Sequence, residues 1–189
     1  MITCDEDHTY RVDEIVRPGV TEILKGVGFI DDTWYTPEAA QRGTYVHKAI
    51  ELLHTVGLNT KSLHKSLIPY YDGYMKFIDD KQWPPHNDLV EKKFYHSVYK
   101  YCGRIDVGFH YKDGLDLVDV KTGSIPDHTK YQLEGYGELL RNAGYKVYNL
   151  WALNLPGDGT YKLKHYGSAR NLSVFQAAVT IENAKRGLI

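Results

Sequence analysis

Apolar residues recur at helical spacing in the first part of the chain, and from about residue 89 they alternate. Residues 8 to 17, HTYRVDEIVR, predict a short strand or hairpin. Thr21 to Val27 predicts a helical turn ended by Gly26 and Gly28. Thr36-Pro37-Glu38 is a helix start, with Thr36 as N-cap and Pro37 at the first helical position. That helix reaches about Arg42, and Gly43 is a place for it to break or bend. TYVHKAIELLH then resumes the spacing, with Val46, Ile50 and Leu53 on one stripe. Residues 62 to 81 predict another helix, with Leu63, Leu67, Tyr70, Tyr74 and Phe77 on related faces. Trp83-Pro84-Pro85 stops it.

The second half reads differently. Leu89 to Tyr99, Tyr101 to Tyr111 and Leu115 to Lys121 predict three strands. Lys112-Asp113-Gly114 turns the second into the third, because Asp-Gly accepts positive φ. Asp127 is a fitting N-cap for a helix to about Asn142, ended by Ala143-Gly144. Lys146 to Leu155 and Thr160 to Tyr166 predict two more strands around a Gly157–Gly159 turn. Asn171 or Ser173 caps a last helix to Arg186. The order α-α-β-β-β-α-β-β-α predicts an α/β (α+β) domain with a mixed sheet.

Composition narrows the class. The chain has 189 residues, 42% hydrophobic and 25% charged, which predicts a single globular domain over 1–189 rather than a disordered chain. A net charge of −1 argues against a simple nucleic-acid coat but leaves room for a groove of concentrated Lys and Arg. The cysteines, Cys4 and Cys102, form no C-x-x-C pair, so no iron–sulfur cluster or Cys-based zinc site is expected. No apolar run approaches a membrane span and MITCDEDHTY is unlike a signal peptide, so a soluble, cytoplasmic protein is expected. The 16 Tyr against 5 Phe suit half-wet sheet surfaces, or stacking on bases.

Candidate chemistry gathers between Gly103 and Lys121. Asp119 and Lys121 project to the same face of one strand with Leu117, while Val118 and Val120 face the other way. An ion pair accounts for that tripeptide alone. Asp106, on the strand joined through the Asp113-Gly114 turn, comes to lie close to opposite Asp119. Facing carboxylates repel, and a divalent cation relieves them. Mg²⁺ prefers few carboxylates, waters and a phosphate oxygen.

Gly103-x-x-Asp106, Asp119-x-Lys121 and Gln132-x-x-x-Tyr136, preceded by Arg42-Gly43-x-x-x-His47, resemble the ordered motifs of RecB-like nucleases. These belong to the PD-(D/E)XK superfamily. VDEIVRPGVTEIL also resembles the lead-in of phage-encoded, stand-alone exonucleases. The motifs span about half the chain. The resemblance implies a restriction-endonuclease-like core, αβββαβ, with a mixed sheet flanked by helices. It implies that His47, Asp106, Asp119 and the Val120 carbonyl bind one or two Mg²⁺ or Mn²⁺ ions, and that Lys121 is the catalytic lysine. Glu91 resembles a further acidic catalytic position. Gln132, Tyr136, Arg42 and Arg104 would bind substrate or support the site. Glu51, one turn after His47, either orients that histidine or forms a surface ion pair. His54 and His110 are expected in ordinary polar roles. Lys92, Lys93, Lys100 and Arg104, and Lys162, Lys164 and Arg170, are solvated faces or phosphate contacts.

The implied chemistry is phosphodiester hydrolysis by metal-activated water. An exonuclease acting on DNA ends in recombination, repair or replication is the first expectation, and an endonuclease the second. A nuclease fold that binds DNA or a partner without cutting is the rival class, opposed by the complete His-Asp-Asp-Lys set. A hydrolase of small phosphoesters is weaker still, since no phosphate-cradling Gly loop is present. No G-x-x-x-x-G-K-[ST] loop exists, so any unwinding would need a separate helicase. A single-strand-binding or annealing protein is a further expected partner besides DNA. Oligomerisation is left open, and a phage-encoded protein would work in the host cytoplasm.

Overall fold

Residues 2–5, 9–31, 33 and 36–188 are described by the computed structural model. Strands β1 (Ile2–Cys4), β2 (Tyr10–Val12) and β3 (Ile15–Arg17) form a small antiparallel sheet in that order. The predicted hairpin is present from Tyr10. His8, where the expectation began, lies outside the described residues. Val12 pairs with Ile15, and both turn residues, Asp13 and Glu14, take positive φ (49° and 67°). Such values match the twist of a two-residue hairpin. β1 was not expected; three residues carry too little periodicity to read.

Helix α1 (Val20–Gly26) follows, then α2 (Pro37–Thr55), with the Thr36 side chain accepting from the Ala39 N–H. Helix α2 runs unbroken through Gly43, so the expected break does not occur. Helix α3 (Ile68–Lys81) begins later than predicted, after a 3₁₀ turn at Thr60–Ser62. Pro69 explains the difference: it belongs in a first turn and not in a helix interior.

Strands β4 (Pro85–His96), β5 (Tyr101–Tyr111) and β6 (Gly114–Lys121), helix α4 (Thr129–Asn142), strands β7 (Val147–Asn154) and β8 (Lys162–Tyr166), and helix α5 (Ala169–Lys185) complete the order. The second sheet has the order β4-β5-β6-β7-β8. β6 and β7 are parallel and the other pairs antiparallel. In the β5–β6 turn Lys112 takes the positive φ (51°), not Gly114. Gly114 is needed for space, since a Cβ there would lie 2.2 Å from the Lys146 carbonyl oxygen. The N-cap of α4 is His128 rather than Asp127. That of α5 is Ser168 rather than Asn171 or Ser173, with its side chain accepting from the Asn171 N–H.

Helices α1, α4 and α5 bury one sheet face with Ile23, Leu133, Leu139 and Phe175. Helices α2 and α3 bury the other with Val46, Ile50, Tyr74 and Phe77. The result is a five-stranded mixed sheet flanked by helices. Central strand β6 is covered on both faces, which is why GLDLVDVK is buried throughout its middle. Its buried Asp116 is satisfied, accepting from Asn149 Nδ2 (2.7 Å) and Trp151 Nε1 (3.0 Å). Among the described residues no helix is long and apolar enough to cross a membrane.

Candidate metal centre

Strand alternation slips at one place on each of two neighbouring strands. On β5 Ile105 packs with the α4 side and Val107 with the α2 side. On β4 Phe94 lies on the α4 side and Val90 on the α2 side. Asp106 and Glu91 sit at these two slips. Glu91 holds a left-handed φ of 49°, which costs a non-glycine residue on the order of 1–3 kcal/mol. The β4–β5 register is the same on either side, Val90 facing Val107 and Lys92 facing Ile105, so the slip re-aims both side chains without a bulge between them.

The re-aimed carboxylates meet a histidine from α2. Ligand atoms of His47, Glu91 and Asp106 all lie within 4.8 Å of one another. His47 Nδ1 is 2.9 Å from Glu91 Oε1 and 3.5 Å from Asp106 Oδ1. Its Nε2 is 3.2 Å from the Val120 carbonyl oxygen. Asp106 Oδ2 accepts the Val120 N–H at 2.7 Å, which ties the end of β6 to β5. Arg104 Nε holds the other Glu91 oxygen at 2.9 Å.

Asp119 lies beside Lys121 on β6, as strand parity has it. Its Oδ2 lies 2.8 Å from Lys121 Nζ, and the residue is not in the three-residue cluster. That oxygen is buried and has no aligned hydrogen bond. Lys121 Nζ donates to Gln132 Oε1 (3.0 Å), and Gln132 Nε2 donates to the Tyr136 hydroxyl (3.0 Å) and to Thr21 Oγ1 (3.4 Å). Gln132 and Tyr136 are each 8% exposed, with Gln132 against Lys121 and Tyr136 behind Gln132. Arg42 Nη2 donates to the Thr122 carbonyl (3.4 Å), and its guanidinium stands 5.7 Å from the Tyr70 ring. Glu51 pairs with Lys48 at 2.7 Å and does not reach His47; Glu91 takes that place. His54 meets the Tyr74 hydroxyl (2.7 Å), and His110 stacks on His86.

Burial sets the electrostatics. It raises the pKa of Asp106, against the pull of His47, and raises that of Asp119, against the pull of Lys121. Burial also works against charge on His47, but Asp106 and Glu91 outweigh it and hold its pKa up at about 9. Protons therefore gather where positive charge is wanted. The donors drawn together are one imidazole and two carboxylates, a mostly hard set that suits a small divalent cation. The cluster can hold a metal ion.

Thr21 was not foreseen, because 111 positions separate it from Gln132. Gly103 has a packing role: a Cβ there would lie 2.6 Å from Leu139 Cδ1 and about 3 Å from the Tyr136 ring. Gly103→Ala is expected to destabilise by about 1–3 kcal/mol through overpacking between β5 and α4. Urea unfolding measures this, and an unchanged midpoint would show that α4 can shift freely.

No family model matches the chain, and no curated protein matches it in sequence. Solved structures are similar to it. A "putative exonuclease" from Eubacterium rectale superposes with a TM-score of 0.50 at 15% identity, over 89% of this chain and 74% of that one. An alkaline exonuclease from Laribacter hongkongensis gives a TM-score of 0.40 at 14% identity, over 91% and 93%. At 15% identity the first likeness speaks for the fold: a five-stranded mixed sheet flanked by helices, consistent with a nuclease fold of the restriction-endonuclease type.

Proposed function

We propose that this chain is a metal-dependent deoxyribonuclease of the RecB-like PD-(D/E)XK kind, one domain over 1–189, acting as an exonuclease on DNA ends. The observation that carries this is the cluster of His47, Glu91 and Asp106 donors within 4.8 Å, beside the buried Asp119–Lys121 pair. A structural pair needs no third carboxylate and no strained glutamate next to it. The nuclease-type fold supports the same reading.

His47, Glu91, Asp106 and the Val120 carbonyl would hold Mg²⁺ or Mn²⁺, with Asp119 as a further ligand or as the partner of Lys121. The ion supplies positive charge against the scissile phosphate and lowers the pKa of water. Lys121 keeps a proton at Nζ and presents it to the oxygen that gains charge. Asp119 and Gln132 hold that ammonium in place from either side. Arg104 fixes which Glu91 oxygen faces the cluster. Arg42, which donates to the Thr122 carbonyl, would contact a flanking phosphate. DNA is the proposed macromolecular partner, with any helicase, single-strand-binding or annealing protein separate, in a cytoplasmic setting.

The test is a digestion series on 5′- and 3′-labelled single- and double-stranded DNA plus a closed circle, with Mg²⁺, Mn²⁺ or chelator. Metal-dependent loss from ends with the circle intact is expected. A cut circle would make the enzyme an endonuclease. No cleavage under any metal, with DNA bound, would leave a binding module.

A further inference from the structure

Past the slip at Glu91, β4 returns to regular alternation. Phe94 faces the apolar cluster under α4, so Glu91, Lys93 and Tyr95 lie on the opposite side. Across the ladder Lys93 pairs with Arg104 and Tyr95 with Cys102. Asp106 follows Arg104 by two on β5, on the same side as Glu91. His47 of α2 covers this side at Glu91 and Asp106. Farther along, the small sheet adjoins it, and the Arg17 guanidinium of β3 stands 6.0 Å from the Tyr95 ring centre. A strip thus runs from the metal cluster through Lys93 and Arg104 to Tyr95 and Arg17.

Arg104 is held by Glu91. Lys93 and Arg17 are half-buried and form no ion pair among the described residues, and Arg17 Nε is buried without a hydrogen-bond partner. A chain of net charge −1 attracts a polyanion only through such local concentrations. β4 is an edge strand, so this path lies along the margin of the sheet. Unpaired bases can pack on a tyrosine–arginine pair, whereas bases in a duplex are already stacked.

We propose that this strip seats a single DNA strand on one side of the metal cluster, with phosphates on Lys93 and Arg17 and an unpaired base against Tyr95. The proposal rests on the nuclease reading above and adds the path of the substrate.

Fluorescence anisotropy with a labelled single-stranded oligonucleotide tests it, over a salt series and with Ca²⁺ replacing Mg²⁺ or Mn²⁺. The Lys93→Gln/Arg17→Gln double variant should lower the slope of log affinity against log salt by about 1.4, near 0.7 for each lost phosphate contact. Arg17→Lys with Lys93→Arg should restore it. Tyr95→Leu should weaken binding on the order of tenfold at unchanged slope, and Tyr95→Phe should not. Mn²⁺ affinity by calorimetry should stay at the parent value in every variant. Parent-like slope and affinity in the charge and Tyr95→Leu variants would overturn the strip while DNA cleavage by the parent upheld the nuclease. Losses confined to blunt duplex would overturn the single-strand assignment. Neither binding nor cleavage by the parent would sink the nuclease reading, and the strip with it.

Discussion

Lys121→Ala is expected to lower metal-dependent DNA cleavage by at least about a hundredfold, near 3 kcal/mol of transition-state stabilisation. The side chain is 21% exposed, and its ammonium is held by Asp119 at 2.8 Å and Gln132 at 3.0 Å. An ammonium already desolvated and oriented loses little further freedom when charge develops beside it, which gives such a group its leverage. Truncation also strands Asp119, whose pKa burial already raises. Lys121→Ala will therefore cost stability as well, since an unpaired buried carboxylate is expensive. Two readouts separate the effects. Mn²⁺ affinity should fall little, because Lys121 is not a metal ligand. Lys121→Ala combined with Asp119→Asn should recover stability without recovering cleavage. A well-folded Lys121→Ala protein cleaving near the parent rate would remove the lysine from the chemistry.

The sequence showed the strands of this site better than its side-chain aim. Alternation over Leu115 to Lys121 and the Asp113-Gly114 turn locate β5 and β6, and with them the approach of Asp106 to Asp119. Thr36-Pro37 locates α2, and so brings His47 to the right height on the sheet. Glu91 was harder. Its carboxylate reaches His47 because β4 slips out of alternation at a left-handed residue, and periodicity cannot announce its own interruption. Asp119 faced the opposite difficulty. Strand parity puts it beside Lys121, where the structure also has it, but parity says nothing about which neighbour its rotamer selects. The caps failed for a local reason. Asp127, Asn171 and Ser173 all have capping chemistry, but His128 and Ser168 occupy the turn where each helix starts. The Thr21–Gln132 contact joins α1 to α4 and has no local trace at all.

Metal-free stability and metal affinity should respond to pH in opposite directions. His47 titrates at about 9 in the folded, metal-free protein, against about 6.5 unfolded. Burial disfavours its charge, but Asp106 and Glu91 more than offset burial. A group whose folded pKa is raised stabilises fully below its unfolded value. That contribution, at most about 3 kcal/mol from a shift of this size, fades as pH rises from 6.5 and is gone above 9. Asp106 and Asp119 also have raised pKa values, so their ionisation opposes folding as pH rises through the acid range. The metal-free melting temperature should consequently fall between pH 6.5 and 8.5. A metal ion needs the imidazole neutral and does in the cluster what the proton does. Mn²⁺ affinity should thus rise by close to tenfold per pH unit over the same range, and saturating Mn²⁺ should flatten the melting profile. His47→Gln should bind Mn²⁺ more weakly and lose the pH slope, because no proton then competes. Calorimetric titration in buffers of differing ionisation heat counts the proton directly. Affinity independent of pH in the parent protein, with about zero protons released, would take His47 out of the ligand set and leave Glu91 and Asp106 to bind metal without it.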